Sequence, residues 1–251
     1  MTTTASSPPI SSSASLSSAE NADVVVLGGG LAGLSLAIQL KRRDPSMSVT
    51  VLERRAHPVP EAAFKVGEST VEIGAHYFAN VLGLREHLDS EHIRKFGFRF
   101  FFSEGRRDID RCTELGVSRI LPMPSWQIDR GRFENFLGEE ARRLGVRFHD
   151  GAIVRSLEMS DSDAAHAIAF ERDGDTRTAA ARWVVDASGR AGLLKRKFDL
   201  AAPEIHDANA VWWRVDGIVD PKLWSDDTDW LSRCTPPDRW RSTNHMCGPG
   251  Y

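Results

Sequence analysis

The clearest pattern of apolar and polar positions begins at Val24. Val24-Val25-Val26-Leu27 is an apolar, largely β-branched run that meets Gly28-Gly29-Gly30, after which Leu31, Leu34 and Ile38 recur at helical spacing. A switch from strand to helix period across a glycine turn predicts a β-α unit. Lys41-Arg42-Arg43 close the helical stretch, where cations suit the negative end of a helix, and Asp44-Pro45 stops it. Val49, Val51 and Leu52 read as a second strand, closed by Glu53.

Further along, Val71, Ile73, Tyr77, Phe78 and Leu82 predict one helix with Ser69 or Thr70 as its cap and Gly83 as its stop. Phe96, Phe98, Phe100 and Phe102 alternate, so His92–Phe102 reads as one strand. Its aromatic stripe is expected to be sheet core, and Gly97 a bulge or a point of close approach. Ile120–Trp126 is a proline-rich extended connector. Asp129 is the expected N-cap of a helix carrying Phe133, Phe136, Leu137, Ala141 and Leu144, with Gly145 at its C-terminal cap. Val146–Phe148 is a short strand. Ile153–Leu157, Ala165–Phe170 and Arg177–Val185 read as three antiparallel strands, with Asp173-Gly174 as the hairpin turn of the last pair. Leu193-Leu194 and Lys195-Arg196-Lys197 predict a short helix with one basic face. From His206 the texture changes, and Trp212, Trp213, Trp224, Trp230 and Trp240 mark residues 201–251 as the start of a second, substrate-facing region.

Composition narrows the classes. The 251 residues are 41% hydrophobic and 27% charged, ordinary for a globular protein with a substantial core. Residues 1–20 are Ser/Thr/Ala/Pro-rich and are expected to be a disordered tail without the basic and apolar parts of a secretory signal. A formal net charge of -3 points to neither nucleic acid nor an anionic membrane. No apolar run approaches the ~20 residues of a spanning helix. Cys112, Cys234 and Cys247 are widely spaced with no C-x-x-C, so no metal site is expected, and a reducing, cytoplasmic setting is.

Candidate chemistry gathers at the first turn. Gly28, Gly30 and Gly33 fit G-x-G-x-x-G: Gly28 for the tight turn, Gly30 for the approach of a pyrophosphate to bare backbone, Gly33 for close helix–strand packing. The helix beginning at Leu31 and Ala32 then offers unpaired N–H groups and a partial positive charge to phosphates. Glu53, twenty residues past Gly33, is placed to bind ribose hydroxyls. Of Arg54 and Arg55, which follow the acid, a basic side chain either contacts the adenosine or its phosphates, with Arg54 the chosen candidate, or the two stand in solvent as a charge pair. The strand-to-glycine turn Asp186-Ala187-Ser188-Gly189-Arg190 offers a second phosphate or ribitol contact.

These pieces, with Val66-Gly67-Glu68-Ser69 and Gln127-x-Asp129-Arg130, resemble the flavin-dependent halogenases and their single-component monooxygenase relatives over most of residues 21–200. The VGES step is the more specific element; the VDASG step is shared with many flavin hydroxylases. The resemblance implies an α/β fold: a Rossmann-like, three-layer FAD-binding domain over 21–200, with part of an antiparallel substrate sheet (about 93–126) inserted. It implies FAD, used as FADH2 from a transiently bound flavin reductase, together with O2, a halide co-substrate and an electron-rich aromatic small molecule. In such enzymes hypohalous acid travels along a tunnel to a lysine beside the ring. Lys95, at the head of its strand, matches that place; without the resemblance it reads as a solvent-facing lysine next to Arg94, and Lys65 is a rival position. Gly67, Glu68 and Ser69 would lie near the flavin ring and halide, and Arg130 and Asp186 would contact pyrophosphate or ribitol. The family's W-x-W-x-I-P segment and a later Gly-Asp step are absent, so the chain is expected to be the N-terminal part of a longer enzyme. An aromatic hydroxylase on the same scaffold and an inactive FAD-binding module are the alternatives; a nicotinamide dehydrogenase would leave VGES and VDASG without a role.

Overall fold

A computed structural model of the chain describes residues 19–62, 67–205 and 215–248. The expected tail over 1–18, Val66 with its neighbours Phe64 and Lys65, and Trp212 and Trp213 lie outside the described residues.

The predicted β-α-β unit is present as β1 (Glu20–Leu27), α1 (Leu31–Arg43) and β2 (Val49–Leu52). The last four residues of β1 and all four of β2 are buried, as central parallel strands covered on both faces must be. Lys41 folds its amine onto the carbonyls of Pro45 and Met47 at 2.6 and 3.0 Å, helping to turn the chain out of α1.

The helix predicted up to Gly83 is present as α2 (Glu72–His76) running straight into a π-helical turn over Tyr77–Val81, with Gly83 at φ +57° beyond it and α3 (Arg85–Glu91) following; its expected cap is not. Val71 occupies the N-cap of α2, and no side chain caps it. Ser69 is drawn into a bridge with Gln127, and the Thr70 hydroxyl donates to the Trp126 carbonyl while accepting from the Trp126 N–H. Both hydroxyl residues are thus held by the Ser125–Gln127 segment, leaving neither to cap the helix.

The expected strand over His92–Phe102 is two strands, β3 (Ile93–Lys95) and β4 (Gly97–Phe102), in different sheets. Gly97, at φ +118°, redirects the chain between them, and the Phe96 N–H leaves both ladders for the Arg241 carbonyl. β5 (Thr113–Gly116) pairs antiparallel with β4, and β6 (Ser125–Gln127) pairs antiparallel with β3, so the proline-rich connector ends in a strand.

Then follow α4 (Arg130–Arg143), capped by the Asp129 carboxylate on the Arg132 N–H, and β7 (Arg147–His149). Leu144 takes the C-cap, with Gly145 just beyond it at positive φ. β8 (Ile153–Glu158), β9 (His166–Arg172) and β10 (Asp175–Asp186) are the three antiparallel strands, with Asp173 and Gly174 at positive φ in the last hairpin. β10 is long enough for two partners. Its first half pairs antiparallel with β9; its second half runs parallel to β1. One six-stranded sheet results, in the order β7-β2-β1-β10-β9-β8. Val24, Val26, Val49 and Val51 meet α1 and α4 on one face, through Leu34, Ile38, Phe133 and Leu137. Val25, Leu27 and Leu52 meet Ile168, Phe170 and Ala179 on the other.

The chain continues through α5 (Leu193–Lys197) and α6 (Thr228–Ser232) to β11 (Ser242–Cys247), which joins β4 in parallel. The 201–251 region thus completes the inserted sheet, in the order β11-β4-β5. Among the described residues, no helix is long and apolar enough to cross a membrane.

Candidate functional site

The turn between β1 and α1 is shaped by what its glycines lack. A methyl group on Gly28 would sit 2.4 Å from the Ala187 carbonyl oxygen, at a φ of +112°. On Gly33 it would sit 1.9 Å from the Gly28 oxygen. At Gly30, by contrast, the nearest atom would be Glu134 Oε1, 4.0 Å away. Gly28 and Gly33 are thus needed for packing, while Gly30 faces open space. Gly30 is also the N-cap of α1, in extended conformation with no side chain capping it. The Leu31, Ala32 and Gly33 amides follow at the positive end of a 13-residue helix, a place suited to phosphate.

Glu53 is buried directly after β2. Its Oε2 accepts the Gly29 N–H at 2.7 Å, and its Oε1 accepts the Arg55 N–H at 2.8 Å. The acid is thus pinned against the Gly28–Gly30 turn by its Gly29 bond. Arg54 and Arg55 are both exposed, but Arg55 reaches back to the acids, with Nε 3.3 Å from Glu53 Oε1 and Nη2 3.5 Å from Glu134 Oε2. Glu134, fully buried on α4, also accepts Arg130 Nη2 at 2.7 Å. Arg130 in turn lies within van der Waals reach of Gly67, its Nη1 3.7 Å from where a Gly67 Cβ would be. A connected line of charges, Glu53–Arg55–Glu134–Arg130, thus runs from the Gly28–Gly33 turn to the VGES segment.

At that segment Lys95 is 6% exposed. Its amine donates to Ser69 Oγ, which lies 3.3 Å from Thr243 Oγ1 on β11. The same amine stands 5.6 Å from the centre of the Phe98 ring. The solvent-facing reading of Lys95 fails here, because the Gly97 turn tucks the end of β3 beneath the Ser69 loop. Burial pushes the Lys95 pKa down, an effect Glu72 partly opposes. Glu68 holds this loop to the Gln127-x-Asp129-Arg130 turn by accepting the Ile128 N–H on its carbonyl at 2.7 Å.

A family model described as an FAD binding domain matches residues 21–245. The chain belongs to this FAD-binding family. Among curated relatives it is 28% identical over 256 residues to the flavin-dependent halogenase chlA of Dictyostelium discoideum, covering 91% of this chain and 41% of that protein. It is 28% identical over 175 residues to 1H-pyrrole-2-carbonyl-[peptidyl-carrier protein] brominase of Pseudoalteromonas luteoviolacea, covering 70% of this chain and 39% of that protein. Among solved structures it superposes on the flavin-dependent halogenase CmlS with a TM-score of 0.57 and 26% identity, covering 72% of this chain and 31% of that one. The chain spans about two-fifths of the length of these curated relatives.

The FAD-binding turn fits its cofactor on the chain's own geometry: an uncapped helix N-terminus, open backbone at Gly30 and a buried acid across the crevice. Two further predicted contacts stand differently. Asp186 does lie beside the turn, since it pairs with Leu27 across β10 and β1. Its carboxylate, however, is engaged by its own loop, with Oδ1 accepting the Ser188 N–H at 3.0 Å and Oδ2 the Leu194 N–H at 2.8 Å. Burial raises its pKa, and these hydrogen bonds outweigh that and hold it below the usual carboxylate range. Asp186 thus shapes the turn that carries Gly189, which is exposed at φ +61°. The residue that sequence reasoning missed is Glu134. Glu134 sits four residues after Arg130 on α4, the spacing of a helical ion pair, and that was the available signal.

Proposed function

We propose that this chain supplies the flavin-binding turn and the halogen-handling lysine of a flavin-dependent halogenase acting on an electron-rich aromatic small molecule. The observation that carries the reading is Lys95: a buried amine, tied to Ser69 of the VGES segment and set against an aromatic ring. The backbone from Gly30 to Gly33 would hold the diphosphate of FAD, Glu53 its ribose, and Arg130 and Arg55 would balance phosphate charge beside Glu134. When bound and reduced by a partner reductase, the flavin would activate O2, the oxidant that turns halide into hypohalous acid (FADH2 + O2 + X− + H+ giving FAD + HOX + H2O). Lys95 binds that species. A lowered pKa enlarges its neutral fraction, which makes it the better nucleophile towards a halogen electrophile. Halogen transfer to an aromatic C–H releases water overall, ArH + HOX giving ArX + H2O.

The test uses the complete enzyme sequence containing this chain, with reduced FAD, bromide or chloride, and a phenolic substrate. Lys95→Ala is expected to lower halogenated product by about 100-fold or more while FAD affinity stays within about twofold. Halogenation by Lys95→Ala at the wild-type rate would remove the lysine from the reaction. Hydroxylated product alone, formed without halide, would favour the monooxygenase reading.

A further inference from the structure

β4 presents Phe98, Phe100 and Phe102 on one face, and that face is open: the three side chains are 51%, 36% and 39% exposed, whereas Phe101 on the reverse face is 1% exposed. The stripe expected to be sheet core is therefore surface, and the true core side of β4 is Arg99 and Phe101. Leaving one large aromatic half-exposed is ordinary; leaving a contiguous row so is characteristic of a binding face. The rings form a track. Phe98 to Phe100 and Phe100 to Phe102 are steps of 6.4 Å between ring centres. His245 of β11 stacks on Phe100 at 4.7 Å with an 18° interplanar angle and widens the track by one strand. Among the described residues, the strand positions flanking the rings are Thr113, Leu115, Thr243, His245 and Cys247, none of them a carboxylate, lysine or arginine. A cation stands at the head of the track, where the Lys95 amine lies over Phe98.

We infer that this face is a stacking track for the substrate, and that it selects linear, uncharged aromatics of two or more rings, with the ring to be modified at the Lys95 end. The assignment rests on the Lys95 reading for its direction. A single ring would cover Phe98 alone; a linear pair of rings continues over Phe100 and His245 towards Phe102. Each aromatic contact of this kind contributes about 0.5–1.5 kcal/mol beyond area burial, so one added ring in line is expected to strengthen binding by up to about tenfold.

The experiment is equilibrium dialysis of the 251-residue chain with 4-hydroxybiphenyl, which is linear, and 2-hydroxybiphenyl, which is bent and of the same composition. The linear isomer is expected to bind about tenfold tighter. Phe100→Ser and Phe102→Ser should bring the two isomers within about twofold, with thermal stability close to that of wild type, and Lys95→Ala should keep the preference. Equal affinities in the wild type, or Ser variants that weaken both isomers alike, would overturn the track. So would a loss of stability in Phe102→Ser as large as that in a Phe101→Ser variant, which would mark the face as packed by the chain itself. A track that holds while Lys95→Ala still halogenates would sink the lysine and leave the platform standing.

Discussion

The two sheets of this protein are held together in opposite ways. The strands of the six-stranded sheet are each announced locally, by apolar runs, one glycine turn and a hairpin, and they join through backbone ladders and apolar packing, although β1 finds β10 far along the chain. The β11-β4-β5 sheet is held by charge at long range. Arg99 and Arg239, 1% and 0% exposed, both reach Glu114, and Arg239 Nε lies 2.9 Å from Glu114 Oε1. Trp230 Nε1 donates to the other carboxylate oxygen at 2.8 Å, and the Arg239 guanidinium lies 3.8 Å from the Trp230 ring centre. Burial alone would raise the Glu114 pKa; the hydrogen bonds and charges of the two arginines outweigh it and lower it. The difference teaches that the elements of the cofactor half are set by local pattern, while the inserted half is closed by one buried ionic knot that Trp230 and Arg239 must reach back to complete.

Removing the knot's anion is expected to have the largest effect. Glu114→Gln leaves two buried guanidinium groups without a counter-charge, at a cost of about 3–5 kcal/mol. Hydrogen exchange should show lost protection in β4, β5 and β11, with β1, β2 and β10 unchanged. A uniform loss across both sheets would break the comparison and make the chain one cooperative unit.

The converse change is Gly33→Ala. A methyl group 1.9 Å from the Gly28 carbonyl oxygen must push α1 off β1. About 1–3 kcal/mol of stability should go, with FAD affinity falling by at least tenfold in a fluorescence titration and the β4 sheet keeping its protection. Unchanged flavin binding would show that the helix does not set the cradle.

How much was legible follows the same division. Val24–Leu27, the glycine spacing, Glu53, Asp129 and Asp173-Gly174 could be read because strand period, cap and turn are short-range signals. Arg99 could not be read. It sits amid phenylalanines, where an arginine marks the solvent side; here it marks the core, because its partners Glu114, Val117 and Ser242 lie fifteen, eighteen and 143 residues away. Once Arg99 is inward, strand alternation forces Phe98, Phe100 and Phe102 outward, so a single unforeseen ion pair inverted the whole stripe. The α2 cap failed for a related reason, since Thr70 is claimed by Trp126, fifty-six residues on.

Acid should separate the halves more gently. His57, His87 and His92 all lie on the cofactor side, and burial pushes each down, His92 to about 4. His87 stacks on Phe136 at 3.6 Å, and His92 meets Phe133 edge-on, so protonation would put charge into an aromatic cluster. A histidine with a folded pKa below its unfolded 6.5 costs nothing above that value, and stability is lost as pH falls from 6.5 towards 4. The slope is at most about 1.4 kcal/mol per pH unit for each histidine. The lowered Glu114 acts lower down: its contribution is complete above its unfolded value of 4.5 and is lost only below that. Melting followed between pH 7 and 5 should therefore weaken the cofactor sheet first, and His92→Phe should flatten the slope by about one proton. An inserted sheet that melts first in this window would reverse the assignment.

The finest cut is between neighbouring arginines. Both are exposed, but Arg55 reaches Glu53 and Glu134. Both of Arg55's partners are nearly or fully buried, so Arg55→Ala leaves two carboxylates facing the cradle with less compensating charge. Repulsion of a diphosphate by those carboxylates should weaken FAD binding by about three- to tenfold, and the loss should shrink as salt rises, because screening acts on charge and not on fit. Arg54→Ala should change neither affinity nor stability beyond about 0.5 kcal/mol. Titrating FAD into both variants at two ionic strengths decides between them. An effect at Arg54 equal to that at Arg55 would mean that the flavin side of the molecule responds to net charge near the turn rather than to the line of paired residues, and the contrast between a locally built half and a charge-tied half would lose its clearest boundary.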